Sequence, residues 1–426
     1  MKNCIPKRIL DILNHLKTNG FEAYLVGGCV RDFLMNKEPK DYDISTNATV
    51  SQMLEIFKEF HVINDNGLKH NTVSLHYMDD IIEITSYKNN NDYSIFGDLY
   101  NRDLTINAIA YDGDFIDPLG GLNDIKNKVL RVCNENTFKD DYLRVLRTLR
   151  FASKYGFDIN IDTKKLIKEN YQGLQSISKE RINSELCQIL VGDNVLDILL
   201  EYKDIFSFLM PSISNSIDFD QKNKYHFHDV YTHSAYVVNY CKNDYITRIA
   251  AFLHDIGKPN CFTLDENGYG HFYGHPLESY HLAKTILKDL KFSNKEMEEI
   301  LFLVRYHDDV SVTKKQIKRM LAKAPENKKE CLLRLIDLQQ ADRKDHINIA
   351  EELNVENMIQ TLEEIIAIEE CFTIKDLEVN GYDLMDLGVF NKRIKEIQLV
   401  LLDLVVEEKL ENKKDILIDY VKNNLL

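Results

Sequence analysis

The chain has 426 residues, of which 28% are charged and 44% hydrophobic, and its formal net charge is −15. That length calls for about two to four domains. The acidic balance excludes a protein that coats nucleic acid indiscriminately, but it leaves room for a local basic groove. No apolar run is long enough to span a bilayer, and the opening MKNCIPKRIL lacks a signal-peptide core. A cytoplasmic protein with no membrane partner is therefore expected. Eight cysteines without a Cys-x-x-Cys pair fit reduced thiols.

The first predicted element is a helix between Ile5 and Asn19, with Ile9, Leu10, Ile12, Leu13 and Leu16 as its apolar stripe and Gly20 as its stop. The run Ala23–Val26 reads as a strand that feeds directly into Gly27, Gly28, Cys29, Val30, Arg31 and Asp32. Paired glycines let the backbone turn sharply and bring its N–H groups close to phosphate oxygens. Arg31 can add charge-assisted hydrogen bonds to a triphosphate. Asp41 and Asp43 stand two apart in a short extended run, which points both carboxylates to one face where Mg²⁺ can be held. An Asp-x-Asp pair alone is usually a solvated turn. The ordered set of strand, Gly-Gly, Arg-Asp and Asp-x-Asp is a nucleotidyltransferase signature.

Two more strands are predicted, Asn71 to Tyr77 and Ile81 to Tyr87. Glu83 in the second is either a third metal carboxylate or an ordinary surface residue. Then Arg102 and Asp103 open an alternating run, with Arg102 suited to triphosphate or sugar and Asp103 suited to holding Arg102. Asp117-Pro118-Leu119-Gly120-Gly121 closes the region as a turn. From Lys139 to Phe151 the pattern is helical, and Asp141, Arg144, Arg147 and Arg150 step by three along adjoining parts of one face. An acceptor and fixed donors one turn apart are the equipment for reading a base's pairing edge. A salt-bridged exposed face is the alternative.

These residues resemble a bacterial-type CCA-adding tRNA nucleotidyltransferase of the poly(A) polymerase family, within the DNA polymerase beta superfamily. The likeness rests on Leu25 to Asp32, Lys40 to Ser45, Arg102 to Asp112, Asp117 to Gly121, Asp140 to Phe157 and Glu180 to Leu186, about the first half of the chain. It implies an α+β fold, a small mixed-sheet catalytic head followed by all-helical neck, body and tail. It assigns Mg²⁺ to Asp41 and Asp43, triphosphate or sugar to Gly28, Arg31 and Arg102, and base reading to Asp141 and Arg144 assisted by Arg147 and Arg150. Gly27, Asp32 and Asp103 complete the expected nucleotide site. The implied reaction is attack of a tRNA 3′-hydroxyl on the α-phosphate of CTP or ATP. Two departures stand out. Asn101 occupies a position where the family usually carries arginine, and Lys88–Asn101 is short for a loop that in full CCA-adding members helps switch from C to A. A CC-adding enzyme and a poly(A) polymerase are the rival readings.

Further on, His233, His254-Asp255, His275, His307 and Asp342 form a second constellation. Imidazoles with carboxylates suit Ni²⁺, Mn²⁺, Fe²⁺ or Zn²⁺ better than Mg²⁺ alone. The set resembles the HD metal-dependent phosphohydrolase domain. The resemblance makes His233, His254, Asp255 and Asp342 ligands, places His275 and His307 as extra ligands of a second metal, and suits phosphomonoesters or 2′,3′-cyclic phosphates at damaged tRNA ends. A structural HD fold that supports tRNA binding, or an HD enzyme with an RNA-binding head, is the alternative. Lys314, Lys315, Lys318, Arg319 and Lys323 form a basic helix, read as a solvated face or a tRNA backbone contact. The stretch Lys375–Leu384 looks like the tail element of HD-bearing members. The expected division is a head at 1–126, neck and body at 127–220, HD region at 221–346 and tail at 347–426, with the oligomeric state left open.

Overall fold

The structure, a computed structural model, describes residues 5–63, 71–78, 80–87, 93–222, 228–344, 353–367 and 371–426. It forms two compact units, Met1–Asn194 and Val195–Leu426.

The first unit opens on α1 (Lys7–Thr18), whose buried stripe Ile9, Ile12, Leu13 and Leu16 is the one the periodicity predicts. Then come β1 (Ala23–Val26), α2 (Gly28–Leu34), β2 (Asp43–Thr46), α3 (Val50–Ile56), β3 (His61–Ile63), β4 (Thr72–Tyr77), β5 (Asp80–Ser86) and α4 (Ile95–Tyr100). Next are β6 (Ala110–Tyr111), β7 (Phe115–Ile116), α5 (Gly121–Asn127) and β8 (Val129–Leu130), followed by α6 (Thr137–Asp140), α7 (Leu143–Tyr155), β9 (Asp158–Ile159), α8 (Ile161–Asn170) and α9 (Lys179–Leu190). One sheet runs β3-β4-β5-β2-β1-β6-β7. Only the β2–β5 pair within it is parallel, so the sheet is small and mixed, as expected. Ile9, Leu13, Leu25, Ile44, Phe57, Leu75 and Ile84 form its core. Burying each such side chain stabilises the fold by about 1.5–3 kcal/mol, which fixes which face of β2 is left for chemistry.

The predicted helix from Lys139 is broken. Asp141 takes extended dihedrals (φ −155°, ψ 106°) between α6 and α7. Its backbone carbonyl and its carboxylate accept the N–H groups of Arg144 (3.0 Å) and Leu143 (3.0 Å). An Asp competes for backbone donors at a helix start more effectively than it serves in a helix interior. The predicted loop Lys88–Asn101 is corrected too. Residues 88–92 lie outside those described, and the second half is α4, capped by Ser94, whose hydroxyl accepts from the Gly97 N–H at 3.2 Å.

The second unit is helical throughout its described residues except for a hairpin. It comprises α10 (Val195–Glu201), α11 (Lys203–Leu209), α12 (Val230–Tyr240), α13 (Tyr245–Leu253), the hairpin β10 (Thr263–Leu264) and β11 (Gly270–His271), α14 (His275–Asp289) and α15 (Asn294–Tyr306). It continues with α16 (Lys314–Lys323), α17 (Lys328–Lys344), α18 (Val355–Ala367), α19 (Gly381–Asp386), α20 (Lys392–Val406) and α21 (Lys414–Asn424). Val379, Leu384, Leu401, Leu417 and Val421 pack the last three helices together. The basic face predicted on α16 is partly neutralised within this unit. Glu407 pairs with both Lys315 (2.6 Å) and Arg319 (2.5 Å), and buried Lys318 faces Glu408 at 3.5 Å.

Candidate functional site

In the first unit, the chain leaves β1 at Val26 and reverses at Gly27, whose dihedrals (φ 73°, ψ −135°) are open essentially to glycine alone. A Cβ there would lie 2.9 Å from Arg102 Nη1 and 3.3 Å from Asp43 Oδ2. The missing side chain is thus what leaves room for both a guanidinium and a carboxylate at the end of β1. Arg102 donates from Nη2 to Asp98 (2.9 Å) and Ser45 (3.2 Å), and its buried Nε has no hydrogen-bond partner among the described residues. Burial pushes the Asp43 carboxyl above its ordinary range, Arg102 pulls it down and Asp41 pushes it up again. Two acids and one guanidinium so placed favour a further cation.

Asp43, Ser45, Thr72, Thr85, Asp98, Arg102, Asp103, Asp141, Arg144, Arg147 and Arg181 line one cavity of about 410 Å³. Its walls are ordered by ion pairs. Asp103 accepts from Arg147 Nε (2.9 Å) and Nη2 (2.7 Å) on one oxygen, and from the Leu104 N–H and Asn107 on the other. Burial alone would raise the Asp103 carboxyl, but Arg147 and these donors hold it well below the carboxylate range. Arg181 of α9 reaches Asp141 Oδ2 at 2.8 Å. Arg144 spans the floor, donating to the carbonyls of Thr137 (3.2 Å) and Asn101 (2.9 Å).

The second unit gathers its candidate ligands around Asp255, which is buried. Asp255 Oδ2 lies 3.5 Å from His233 Nε2 and 3.3 Å from His254 Nε2, while Asp342 Oδ1 lies 3.0 and 3.6 Å from the same nitrogens. Asp255 Oδ1 faces the other way, 3.1 Å from His275 Nε2 and 3.6 Å from His307 Nε2. One carboxylate thus stands between two trios, His233-His254-Asp255 and Asp255-His275-His307, each within reach of a single ion. The rings of His254, His275 and His307 are oriented by the chain itself. Each turns Nδ1 to the carbonyl three residues back, at 2.7, 3.0 and 2.8 Å. A carbonyl only accepts, so Nδ1 carries a proton in each ring and Nε2 is the nitrogen turned inward toward the carboxylates. His254 Nε2 and Asp255 Oδ1 are buried without a hydrogen bond among the described residues, as atoms awaiting a cation would be. Burial lowers the His254 imidazolium, but Asp255 and Asp342 outweigh it and push it up to about 10. The donor set fits a divalent transition ion. Lys258 closes the site, its Nζ 2.6 Å from Asp255 Oδ2. Gly257 lets the turn lie against α14, since a Cβ there would be 2.5 Å from the Ser279 nitrogen.

Residues 23–131 match the poly A polymerase head domain. Residues 156–217 match a family described as "Probable RNA and SrmB- binding site of polymerase A", and residues 225–347 match the HD domain. The CC-adding tRNA nucleotidyltransferase of Halalkalibacterium halodurans is 39% identical over 191 residues, 44% of this chain and 49% of that one. The CCA-adding enzyme of Leuconostoc citreum is 38% identical over 218 residues, 46% of this chain and 53% of that one. The chain thus spans about half the length of these curated relatives. Among solved structures, the Bacillus stearothermophilus CCA-adding enzyme in complex with CTP superposes with a TM-score of 0.74 at 24% identity, covering 98% of this chain and 96% of that one. The Thermotoga maritima CCA-adding enzyme complexed with tRNA_CCA gives 0.61 at 21%, covering 98% and 96%. The α+β architecture of those proteins is the fold of this chain.

Of the residues singled out in the sequence, the head domain brings Asp43, Arg102 and Asp103 together with Asp141, Arg144 and Arg147 of the following helices. Asp41 lies just before β2, in a bend, and Glu83 is exposed on β5 in register with Asp43. Gly27 lies beside both Asp43 and Arg102, and Gly28 opens α2. Arg31 is buried. Its Nη1 donates to Asn107 (2.6 Å), Nε and Nη2 grip Asp32 (2.9 and 2.8 Å), and Phe151 and Tyr155 flank it. Arg150 points to Glu185 (3.1 Å) and Gln188 (2.8 Å). Neither Arg31 nor Arg150 lines the cavity. Asp103 holds Arg147 and not Arg102, which belongs to Asp98. Ser45, Asp98 and Arg181 were missed. The Asp98–Arg102 spacing of four was a readable helical signal, whereas Arg181 carried none. The HD domain assembles all six predicted ligands.

Proposed function

We propose that the chain is a cytoplasmic, template-independent tRNA nucleotidyltransferase that adds CCA to tRNA 3′ ends from CTP and ATP. The observation that carries this reading is the single cavity in which Asp43 and Arg102 face Asp141 and Arg144. Asp41 and Asp43 are the carboxylates suited to Mg²⁺, with Glu83 in register beside them as a third. Bound there, Mg²⁺ would neutralise triphosphate charge and the charge developing at the reacting oxygens. Arg102, with a donor to spare, orients the triphosphate. Arg147, pinned by Asp103, adds positive charge to the wall, and Arg31, Asp32 and Arg150 brace α2 and α7 behind it. Asp141 supplies an acceptor and Arg144 donors for the pairing edge of C or A, so the protein replaces a template. The tRNA 3′-hydroxyl attacks the α-phosphate, and pyrophosphate leaves. The working division is head 1–126, neck and body 127–220, HD region 221–346 and tail 347–426.

A second reading, addition of CC alone, is favoured by the relative named for that activity and by the short 88–101 segment. Extension of a tRNA ending in CC with ATP alone separates the two. Efficient addition of one A is expected, and rapid CC addition with no A would replace CCA by CC.

For the HD region the reading is a phosphohydrolase loaded with Ni²⁺, Mn²⁺ or Fe²⁺, supported by the bridging position of Asp255 between two ligand trios. In this reading Asp255 and Lys258 fix the charge of the centre, and the inward Nε2 atoms would exchange a proton for the metal on loading.

A further inference from the structure

One stretch of the head-site wall is uncharged, and no step above uses it. Thr72 of β4 and Thr85 of β5 line the same cavity as Asp43, Arg102 and Asp141. Strand register puts them there. Ser45 stands opposite Thr85 and Thr85 opposite Thr72, so three hydroxyl-bearing residues form a row across adjacent strands. Side chains alternate along a strand, so the row shares its face with Asp43, two residues before Ser45. Ile44, Val73 and Ile84 take the other face, into the core. Strand spacing sets β5 about 5 Å and β4 about 10 Å from β2, roughly the reach of one ribose. Ser45 is already committed, donating to Asp98 (3.0 Å) and accepting from Arg102 (3.2 Å). The two threonine hydroxyls bond only to each other among the described residues, at 2.9 Å, and both side chains are half-buried. That bond uses one of their two protons. The pair therefore presents one free donor together with free lone pairs.

The sheet order β4-β5-β2-β1 separates the threonines from the phosphate side of the site. Gly27, with Arg102 Nη1 beside it, follows β1 on one flank of Asp43, and Thr85 and Thr72 lie on the other. In phosphoryl transfer the attacking and leaving oxygens stand in line on opposite sides of phosphorus. With pyrophosphate leaving on the Arg102 side, the acceptor's 3′-oxygen forms its bond to the α-phosphorus from the β5 side. A ribose 2′-hydroxyl, donor and acceptor at once, is the group that distinguishes RNA from DNA, and it complements the threonine pair. We propose that Thr72 and Thr85 hold the terminal ribose of the acceptor by its 2′-hydroxyl, so that the head site selects an RNA 3′ end over a deoxyribose one. The proposal rests on the nucleotidyltransferase reading.

The test uses the full chain with Mg²⁺, CTP and two tRNAs lacking CCA, identical except that one ends in a 2′-deoxynucleotide. The ribose-terminated acceptor should be used at least about tenfold better in kcat/KM, the effect of one lost hydrogen bond that leaves its partner unpaired. T72V/T85V keeps the side-chain shape and removes both hydroxyls. It should abolish most of that preference through the KM for tRNA and leave the KM for CTP as it was. T72S/T85S restores the hydroxyls on smaller side chains and should keep the preference, whereas its loss there would assign the effect to packing and overturn the proposal. Equal use of the two acceptors by the parent, or a preference retained in T72V/T85V, overturns it while nucleotide transfer stands. So does a rise in the KM for CTP with the preference intact, since the hydroxyls would then serve the triphosphate. Addition of CTP to neither acceptor overturns the transferase reading as well.

Discussion

At Gly27 the absence of one carbon leaves room for the Asp43 carboxylate and the Arg102 guanidinium side by side. Gly27→Ala places a Cβ at 2.9 Å from Arg102 in a backbone region L side chains rarely adopt. Strain of about 1–3 kcal/mol is expected from the dihedrals alone, together with a loss of nucleotide addition of roughly a hundredfold because positioning errors near 1 Å carry that effect. Thermal melts and single-turnover extension of tRNA read the two losses separately. A variant that melts lower yet extends normally would show that the room Gly27 leaves beside Asp43 and Arg102 is not used. Asp43 itself predicts an opposition between stability and activity. Its carboxyl is raised by burial, so ionising it costs more in the folded chain than in the unfolded one, and that cost weighs against folding as pH rises above the ordinary carboxylate value of about 4. Without divalent metal, Asp43→Asn should match the parent at low pH and melt higher at pH 7, while abolishing transfer. Equal melting temperatures at pH 7 would contradict the burial argument.

Helix boundaries decide where the guanidiniums go. The motif order and the alternation along β1 and β2 made the head legible, because Gly27, Gly28, Asp41 and Asp43 are sequence neighbours of those two strands. The alternation around Glu83 likewise placed β5. What stayed hidden were contacts between residues far apart in the chain. Arg181 meets Asp141 across 40 residues, Glu407 silences part of α16 across 88, and nothing in a window of one helix announces either. The stepping Asp141-Arg144-Arg147-Arg150 pattern reads as one face of one helix, whereas Asp141 stands between α6 and α7, because an Asp that caps and an Asp that pairs look alike in sequence. Since Asp141 is tethered to α9, Arg181→Ala should erode discrimination of CTP and ATP against UTP and GTP, in the same direction as Asp141→Ala/Arg144→Ala but less far. Nucleotide competition assays measure it, and unchanged selectivity in the double variant would mean that the base is read elsewhere.

The molecule carries two candidate metal centres, one in each compact unit, built from different ligand chemistry. Oxygen ligands at Asp41 and Asp43 suit Mg²⁺, and imidazoles around Asp255 suit transition ions. Their chemistries should therefore separate cleanly. Asp255→Asn should strip transition metal from the purified protein, read by elemental analysis, and abolish ester hydrolysis while nucleotide addition persists. Asp41→Ala should do the reverse. Joint loss of both activities in either variant would indicate coupling between the units. Among the described residues no helix is long and apolar enough to cross a membrane, and the seven described cysteines form no disulfide.

His254, His275 and His307 have one property in common that reaches beyond catalysis. Because each ring proton is committed to the carbonyl three residues earlier, the tautomer is written by the main chain and needs no carboxylate behind it. In spectroscopic terms, all three Nδ1 nitrogens should give protonated, pyrrole-type ¹⁵N shifts both before and after metal is added, with only the Nε2 resonances moving. Metal would then enter a socket already cut to shape, and the helices that hold these rings would have nothing to rearrange on loading.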